Sequence, residues 1–268
     1  MAMPRYAGSV GTTPSVSLAD RPAAAHRRRM AHDADKMAAA LAAVTEVKAG
    51  MLVGLGTGST AAFAIAEIGR LHAQGLRIEA VATSLATERH AREAGIPIVP
   101  LEAVAVIDLA IDGADEVDPQ LRAIKGAGGA MLREKIVAAA ARRMVVIADG
   151  SKRVAQLGAV ASLPVEVLPV ARAYVAHALA ACGGLPIVRG GDDTPVLTDQ
   201  GNIILDCNFG LIDDPVFLAR DLSAIPGVLG HGLFLHEVDA LYVADGGVVD
   251  RIERPVVAAT QKDRIRRN

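Results

Sequence analysis

Short apolar segments alternate with longer stretches of helical apolar spacing between residues 30 and 160. The apolar segments have the length and content of buried strands, and the stretches that follow them suit amphipathic helices. Such alternation predicts an α/β fold with a doubly wound, Rossmann-like and mostly parallel sheet. The predicted strands are 51–53, 77–84, 97–101, 106–111 and 144–154, and the predicted helices are 31–48, 61–68, 85–95 and a segment that begins near Glu134.

The pattern changes after residue 160, where paired strands come between single helices. The order β-α-β-β-α-β predicts a second, smaller α+β domain of the split βαβ, ferredoxin-like type on an antiparallel sheet. The last strands of the chain are expected to return to the first sheet. The elements behind this prediction are a strand at 163–169, a helix at 171–184, a hairpin at 195–207 around Asp199–Gly201, a helix at 214–227 and strands within 228–249.

The first 29 residues differ from the rest because they show little apolar periodicity and end in HRRR. Their Ser, Thr, Ala and Arg content, with Asp20 as the single acid, is also found in organelle transit peptides. We favour a disordered leader, or a true start at Met30, because an alanine- and arginine-rich composition pervades the whole chain. The predicted division is a leader at 1–29, a catalytic domain at 30–160 plus 236–268, and a small domain at 161–235.

Composition and charge narrow the class of partner. Of the 268 residues 51% are hydrophobic, the net charge is −2, and the aromatic residues are four Phe and three Tyr without Trp. Nucleic-acid binding would need a concentrated basic surface or stacking side chains, which this balance does not indicate. No apolar run reaches the roughly 18 residues of a membrane span, and Cys182 and Cys207 lack metal-ligand spacing. We therefore expect a cytoplasmic protein with reduced thiols that acts on small molecules, without nucleic-acid or membrane partners.

The segment GLGTGST, residues 54–60, joins a predicted strand to a predicted helix. Free backbone N–H groups and the positive end of the helix dipole make such a junction an anion site, and the hydroxyl groups add donors. Ser59 or Thr60 is expected to cap the helix. A Walker-type loop would need a lysine, and a dinucleotide fingerprint would need glycine at position 59. We therefore interpret the segment as a phosphate-binding loop without a nucleotide.

The segment 111–135 carries most of the candidate chemistry. Asp112 and Asp115 lie in a turn after a predicted strand, Lys125 precedes the sequence GAGG, and Glu134 lies in the first turns of a predicted helix. An acid, a cation, backbone donors and a second acid are the groups needed to move a proton beside a carbonyl. Taken alone, the segment also suits an acidic, glycine-rich surface loop.

Shared strand direction favours the functional interpretation. In a parallel sheet the turns at 54–60, 112–118 and 149–152 all follow the carboxyl ends of strands, where α/β sheets bind ligands. No HExxH pair indicates a metal site, and no G-x-S-x-G sequence indicates a hydrolase triad. The remaining carboxylates, lysines and anion-binding loop fit the enolisation of a phosphorylated sugar.

Four segments occur in the order GLGTGST, IDGADEVD, KGAGGAMLREK and ADGSK, and together they resemble type A ribose-5-phosphate isomerases. The similarity runs from about Ala31 to about Val249. The resemblance implies a Rossmann-like domain with a smaller α+β domain, and a homodimer or homotetramer. It also implies a cofactor-free enzyme that interconverts D-ribose 5-phosphate and D-ribulose 5-phosphate through an enediol.

The resemblance implies a role for each matching residue. Glu134 would be the proton acceptor, Asp112 and Lys125 would assist ring opening and polarise the carbonyl, and Lys152 would reach the phosphate. No residue is implied to bind a metal. The residues implied to contact the substrate are Thr57, Gly58, Ser59, Thr60, Asp112, Gly113, Ala114, Asp115, Lys125, Gly126, Ala127, Gly128 and Lys152.

Alternatives stay open at this level. Glu134 could instead be a helix acid stabilised by the dipole, Asp115 could only cap backbone N–H groups, and Glu116 and Asp118 are expected to be surface or turn residues. The fold would also suit a sugar-phosphate lactonase, or a sugar-phosphate deaminase, for which a histidine near the crevice would be expected. A non-catalytic sugar-phosphate sensor is the third hypothesis.

Overall fold

A computed structural model describes residues 21–255 of the chain, with side chains from Met30 onward. The first helix begins at Arg21 and ends at Val44, so the prediction of a helix at 31–48 had both ends wrong. Ala39, Ala40 and Val44 of this helix are buried and belong to the core. Residues 1–20 of the predicted leader and residues 256–268 of the predicted catalytic domain lie outside the described part.

The first part of the chain supplies most of the large sheet and the helices that cover it. Its helices and strands are α1 (Arg21–Val44), β1 (Leu52–Leu55), α2 (Ser59–Ala73), β2 (Glu79–Ala82), α3 (Leu85–Glu93), β3 (Ile107–Gly113), β4 (Glu116–Val117), β5 (Ala123–Ile124), α4 (Met131–Ala140) and β6 (Ala141–Asp149). The second part supplies a smaller sheet and the last strands. Its helices and strands are β7 (Leu163–Val167), α5 (Arg172–Ala181), β8 (Leu185–Val188), β9 (Ile203–Asn208), α6 (Pro215–Ser223), β10 (Val228–His231), β11 (Leu233–Phe234), β12 (Ala240–Asp245) and β13 (Val248–Glu253).

Within residues 21–255, the large sheet has six strands in the order β13-β12-β6-β3-β1-β2. All its pairings are parallel except the one between β12 and β13. Val145 and Ile147 of β6 pack into one apolar cluster, whereas Met144 and Val146 pack into another. This alternation shows that both faces of the sheet are covered, as expected of parallel strands between helices. The predicted α/β fold with a mostly parallel sheet is confirmed.

The small sheet has the order β10-β7-β9-β8, and each of its pairings is antiparallel. With α5 and α6 it follows the predicted β-α-β-β-α-β sequence. A third sheet of short strands, β11-β5-β4, lies beside Lys125 and pairs residues of both parts of the chain. The division into a catalytic and a small domain at residues 160 and 236 stays a prediction.

Two further predicted elements were wrong. Residues 97–101 form a single bridge from Ile98 to Ala80 and no strand, because Pro97 and Pro100 remove two backbone donors. In the hairpin predicted at 195–207, Leu197 makes only a bridge to Ile203, and the strand that pairs with β9 at the sheet edge is β8.

A further error concerns Glu116, which was expected to be a surface or turn residue; for Asp118 the expected turn is confirmed. Glu116 is 1% exposed, and its carboxylate accepts N–H bonds from Gly158, Val160 and Ala161. Asp118 does lie in a turn, but it is 3% exposed and accepts from the backbone of the turn and from Arg122. Neither acid is therefore at the surface. Within residues 21–255, no helix has the length and apolar character to cross a membrane.

Candidate active site

The loop between β1 and α2 exposes the start of the helix. Gly58 is its N-cap residue, with φ +108°, and makes no side-chain cap bond. Ser59 is the first helical residue, so the prediction that Ser59 or Thr60 caps the helix was wrong. A glycine-only backbone conformation takes the place of a side-chain cap. The first N–H groups of α2 are thus not covered by a capping side chain, and the positive end of the helix can face an anion.

Asp112, at the end of β3, ties this loop to the next one. Its Oδ1 accepts N–H bonds from Thr57 at 3.1 Å and from Gly113 at 2.7 Å. A Cβ at Gly56 would lie 2.0 Å from the same oxygen, so only glycine allows the close approach of the two loops. Burial raises the pKa of Asp112, and Lys125 and the two N–H donors oppose that rise.

Lys125 is buried among oxygen atoms. Its Nζ lies 2.9 Å from Asp112 Oδ2 and 3.2 Å from Glu134 Oε2, and it donates to the carbonyl of Gly113. The Phe234 ring lies beneath it, 5.4 Å from Nζ to the centroid. Burial alone would lower the pKa of Lys125, but the two carboxylates outweigh that effect and hold the pKa above its ordinary value. The side chain therefore stays a cation.

Glu134, in the first turn of α4, is 3% exposed. Burial, with a smaller effect of the Asp112 charge, raises its pKa to about 7, although Lys125 opposes the shift. Its Oε2 contacts the Lys125 ammonium but makes no hydrogen bond within the described part of the chain. Within residues 21–255, Asp112 accepts two backbone N–H bonds and Glu134 Oε2 accepts none, which favours binding of a proton to Glu134. This is the state expected of a group that exchanges protons near neutral pH.

The glycine-rich loop after Lys125 is held by Asp115, whose Oδ2 accepts the N–H of Ala127 at 3.0 Å. Gly126 has φ +108°, and a Cβ there would lie 2.6 Å from the Met131 side chain. Glycine is therefore required at 126 by both backbone conformation and space.

These loops surround one cavity of about 210 Å³. All the predicted site residues line it except Asp112, which lies behind the lining and contacts Lys125. The expected convergence of distant turns therefore occurs. The lining residues are Lys36, Thr57, Gly58, Ser59, Thr60, Gly113, Ala114, Asp115, Lys125, Gly126, Ala127, Gly128, Glu134 and Lys152.

A sequence model of ribose 5-phosphate isomerase A (phosphoriboisomerase A) matches residues 79–247, which include most of the cavity. The chain belongs to this family. Ribose-5-phosphate isomerase A of Sphingopyxis alaskensis is 52% identical to it over 217 residues, which cover 81% of this chain and 95% of that protein.

Solved structures agree with this assignment. The structure of ribose 5-phosphate isomerase A from Methanocaldococcus jannaschii has a TM-score of 0.77 and 41% identity, covering 81% of this chain and 97% of its own. A D-ribose-5-phosphate isomerase in complex with phospho-erythronic acid has a TM-score of 0.80 and 37% identity, covering 83% and 99%.

In this member of the isomerase A family, Lys36 of α1 is a lining residue that the sequence analysis missed. It lies on a helix that precedes the first strand, so no strand-end pattern could indicate it. Ser59, Lys36 and Lys152 also line an adjoining depression beside Asp149. Lys36, Lys152 and the start of α2 therefore line the same side of the cavity.

Asp149, at the end of β6, fixes the turn that carries Lys152. Its Oδ1 accepts from the Ser151 N–H at 3.0 Å and from its hydroxyl, and lies 3.2 Å from His32 Nδ1. Burial acts to raise the pKa of Asp149, but the Ser151 donors and the nearby cations lower it overall. The turn is thus held by a charged carboxylate.

A group of hydroxyls was also missed. The Thr57 hydroxyl lies 2.8 Å from Thr83, 2.9 Å from Ser84 and 3.0 Å from Thr87, and Thr87 donates to the carbonyl of Gly56. The turn after β2 therefore supports the anion-binding loop. The strand-end argument that located the other turns could have found this one.

Proposed function

We propose that this chain interconverts D-ribose 5-phosphate and D-ribulose 5-phosphate through an enediolate. One observation carries the proposal: a buried carboxylate, Glu134, whose pKa is raised to about 7, contacts the buried ammonium of Lys125 inside a cavity that also has an anion-binding loop. The family membership supports the same reaction.

The reaction needs one base and one group that stabilises negative charge. Glu134 takes the proton from C2 of the open-chain aldose. The electrons of that C–H bond form the C1=C2 double bond, and the π electrons of the C1=O1 bond move onto O1, which becomes negatively charged. Lys125 stabilises this charge as it develops. Return of the proton from Glu134 to C1, with transfer of the hydroxyl proton from O2 to O1, gives the ketose. These steps need only groups of the chain and of the substrate, so we propose that no cofactor takes part.

Asp112 has an indirect role in this scheme. It lies behind the cavity lining and holds Lys125 and the backbone of Thr57 and Gly113. We therefore propose that Asp112 assists ring opening and carbonyl polarisation by orienting Lys125. Asp115 acts through the Ala127 N–H, and the other predicted contact residues bind the sugar and its phosphate.

The phosphate is proposed to lie against the start of α2, with Lys36 and Lys152. Since phosphate charge changes little during the reaction, this contact stabilises substrate and transition state equally. Lys152→Ala is expected to raise KM by roughly tenfold and to leave kcat within about threefold. Steady-state kinetics with ribose 5-phosphate measure both constants. Arg153→Ala, which removes a neighbouring exposed cation outside the cavity lining, should change neither. A loss confined to kcat in Lys152→Ala would contradict the assignment.

The pH dependence follows from Glu134. A base acts when deprotonated, so kcat/KM is expected to fall about tenfold per pH unit below about pH 7 and to level off above it. This fall of kcat/KM at low pH, the acid limb of the profile, should be absent from the residual activity of Glu134→Gln. A profile that stays flat down to pH 5 would show that another group is the base. The measurement is kcat/KM from pH 5 to 9 at constant ionic strength.

A coupled assay with ribose 5-phosphate tests the proposed function directly. A deaminase would release ammonia from an amino-sugar phosphate, and a lactonase would hydrolyse a sugar-phosphate lactone. The described cavity lining contains no histidine, which does not favour the deaminase. A sensor would bind ribose 5-phosphate without turnover. We also propose that phospho-erythronic acid binds here, because its carboxylate oxygens resemble the enediolate oxygens. A homodimer or homotetramer and a cytoplasmic location are further proposals.

A further inference from the structure

Arg189, which follows β8, extends from the small sheet to the glycine-rich loop of the cavity. Its Nε and Nη2 pair with both carboxylate oxygens of Asp206, at 2.8 and 2.5 Å. Its Nη1 donates to the carbonyl oxygens of Gly126 at 3.1 Å and Ala127 at 3.0 Å. The Arg189 side chain is 17% exposed and does not line the cavity, so it holds the loop from behind.

The direction of these bonds determines where the loop N–H groups point. In a trans peptide the carbonyl and the following N–H point in opposite directions. The Gly126 carbonyl points to Arg189, and the next N–H, of Ala127, points to Asp115. The Ala127 carbonyl also points to Arg189, so the N–H of Gly128 points away from it.

The N–H of Gly128 is thus directed to the cavity side. Gly128 lines the cavity, and a Cβ built on it would lie 3.4 Å from Thr57 Cγ2 of the anion-binding loop. The N–H of Gly129 is used within the loop, where it donates to the Gly126 carbonyl. Within residues 21–255, the Gly128 N–H makes no hydrogen bond. It is a preoriented donor of the kind that stabilises oxyanions.

We propose that Arg189, oriented by Asp206, is a positioning residue for the isomerisation: it fixes the Ala127–Gly128 peptide so that the Gly128 N–H donates to an enediolate oxygen. The proposal rests on the proposed function. It also gives the small sheet a part in the reaction, because both Arg189 and Asp206 belong to that part of the chain. Lysine cannot replace arginine here. Only the planar guanidinium group has N–H donors arranged to bind both oxygens of a carboxylate and also to reach two carbonyl groups.

The test compares Arg189→Ala and Arg189→Lys with Arg172→Ala in the full-length chain. Arg172 is a matched control because it also bonds a backbone carbonyl and an aspartate of the small sheet region, through Asp192, but away from the cavity lining. Arg189→Ala should lower kcat by about 10- to 100-fold with a smaller change of KM. Arg189→Lys should recover only a minor part of kcat, and guanidinium ions added to Arg189→Ala should restore some of it.

A binding measurement separates positioning from a general loss of structure. Arg189→Ala should weaken the binding of phospho-erythronic acid by about 10-fold or more, because the carboxylate of this ligand takes the place of the enediolate. Inhibition by inorganic phosphate should change by less than about threefold, because the anion-binding loop does not depend on Arg189. Equal weakening of both ligands would indicate a structural role and overturn the proposal.

Three further outcomes are decisive. Wild-type kcat in Arg189→Ala would refute the positioning role. If Arg189→Ala lacks a cooperative thermal transition, the kcat of Arg189→Lys is the test instead. We expect this kcat to be at least about fivefold below that of wild type, and a wild-type kcat would contradict the proposal. A wild-type chain without isomerase activity would overturn the proposed function, whereas an active wild type with an unaffected Arg189→Ala would overturn only this inference.

Discussion

Glu134→Gln is expected to lower kcat by at least about 10²- to 10⁴-fold, the usual contribution of a positioned base. Glutamine keeps the size and hydrogen-bonding shape of the side chain but cannot accept the C2 proton. Substrate binding should survive, since the anion-binding loop and the lysines near it are unchanged. The coupled assay gives kcat, and exchange of the C2 hydrogen with solvent deuterium reports the proton transfer itself.

Glu88→Gln is the matched control. Glu88 is also a first-turn helix acid with a cationic partner, Arg92, but it lies at the surface of α3 away from the cavity lining. If Glu134 were only a helix acid stabilised by the dipole, both substitutions would leave kcat unchanged. Turnover of Glu134→Gln within about threefold of wild type would therefore refute the assignment.

Folding stability gives a second measure of the same group. The pKa of Glu134 is raised from 4.5 to about 7 in the folded state. The unfolded chain thus loses its proton first as pH rises, and the carboxylate destabilises the fold increasingly from about pH 4.5 to above pH 7, by roughly 3 kcal/mol in total. Glu134→Gln removes this cost. Its melting temperature relative to wild type should rise with pH over that interval.

The turns of the site were predictable because parallel strands share a direction. Gly58, Asp112 and Lys152 each follow a strand or lie at its end, so residue types and strand order were enough to bring them together. Which of these residues line the cavity and which lie behind the lining was not predictable. That Asp112 lies behind the lining follows from the absence of a Cβ at Gly56, a contact between residues far apart in sequence.

Site residues on other helices and strands were missed because their positions also depend on contacts between residues far apart in sequence. Lys36 lies on α1, and Arg189 follows β8, an edge strand that was not predicted. Their positions depend on how helices and a second sheet pack against the first. Glu116 was expected to be a surface or turn residue because nothing in the neighbouring sequence indicates that its carboxylate accepts hydrogen bonds from three backbone N–H groups.

Lys125→Ala is expected to lower kcat by about 10²- to 10³-fold, because it removes a charged donor from the developing oxyanion. It also leaves Asp112 and Glu134 buried without their cation, which costs roughly 3–5 kcal/mol of folding free energy. Activity should therefore be measured at a temperature where circular dichroism shows a folded chain. Comparison with Lys152→Ala separates the two lysines, because Lys125→Ala should affect mainly kcat and Lys152→Ala mainly KM.

The pH profile of Lys125→Ala tests the electrostatic origin of the effect. The ammonium lowers the pKa of Glu134, against the larger effect of burial, so its removal should raise that pKa further. The acid limb of the residual kcat/KM should move above pH 7. Protonation of Glu134 at neutral pH would also relieve part of the lost stability, because a neutral carboxyl group costs less to bury than a charged one. A limb that stays at about pH 7, or moves lower, would show that Lys125 and Glu134 do not interact as their 3.2 Å separation implies.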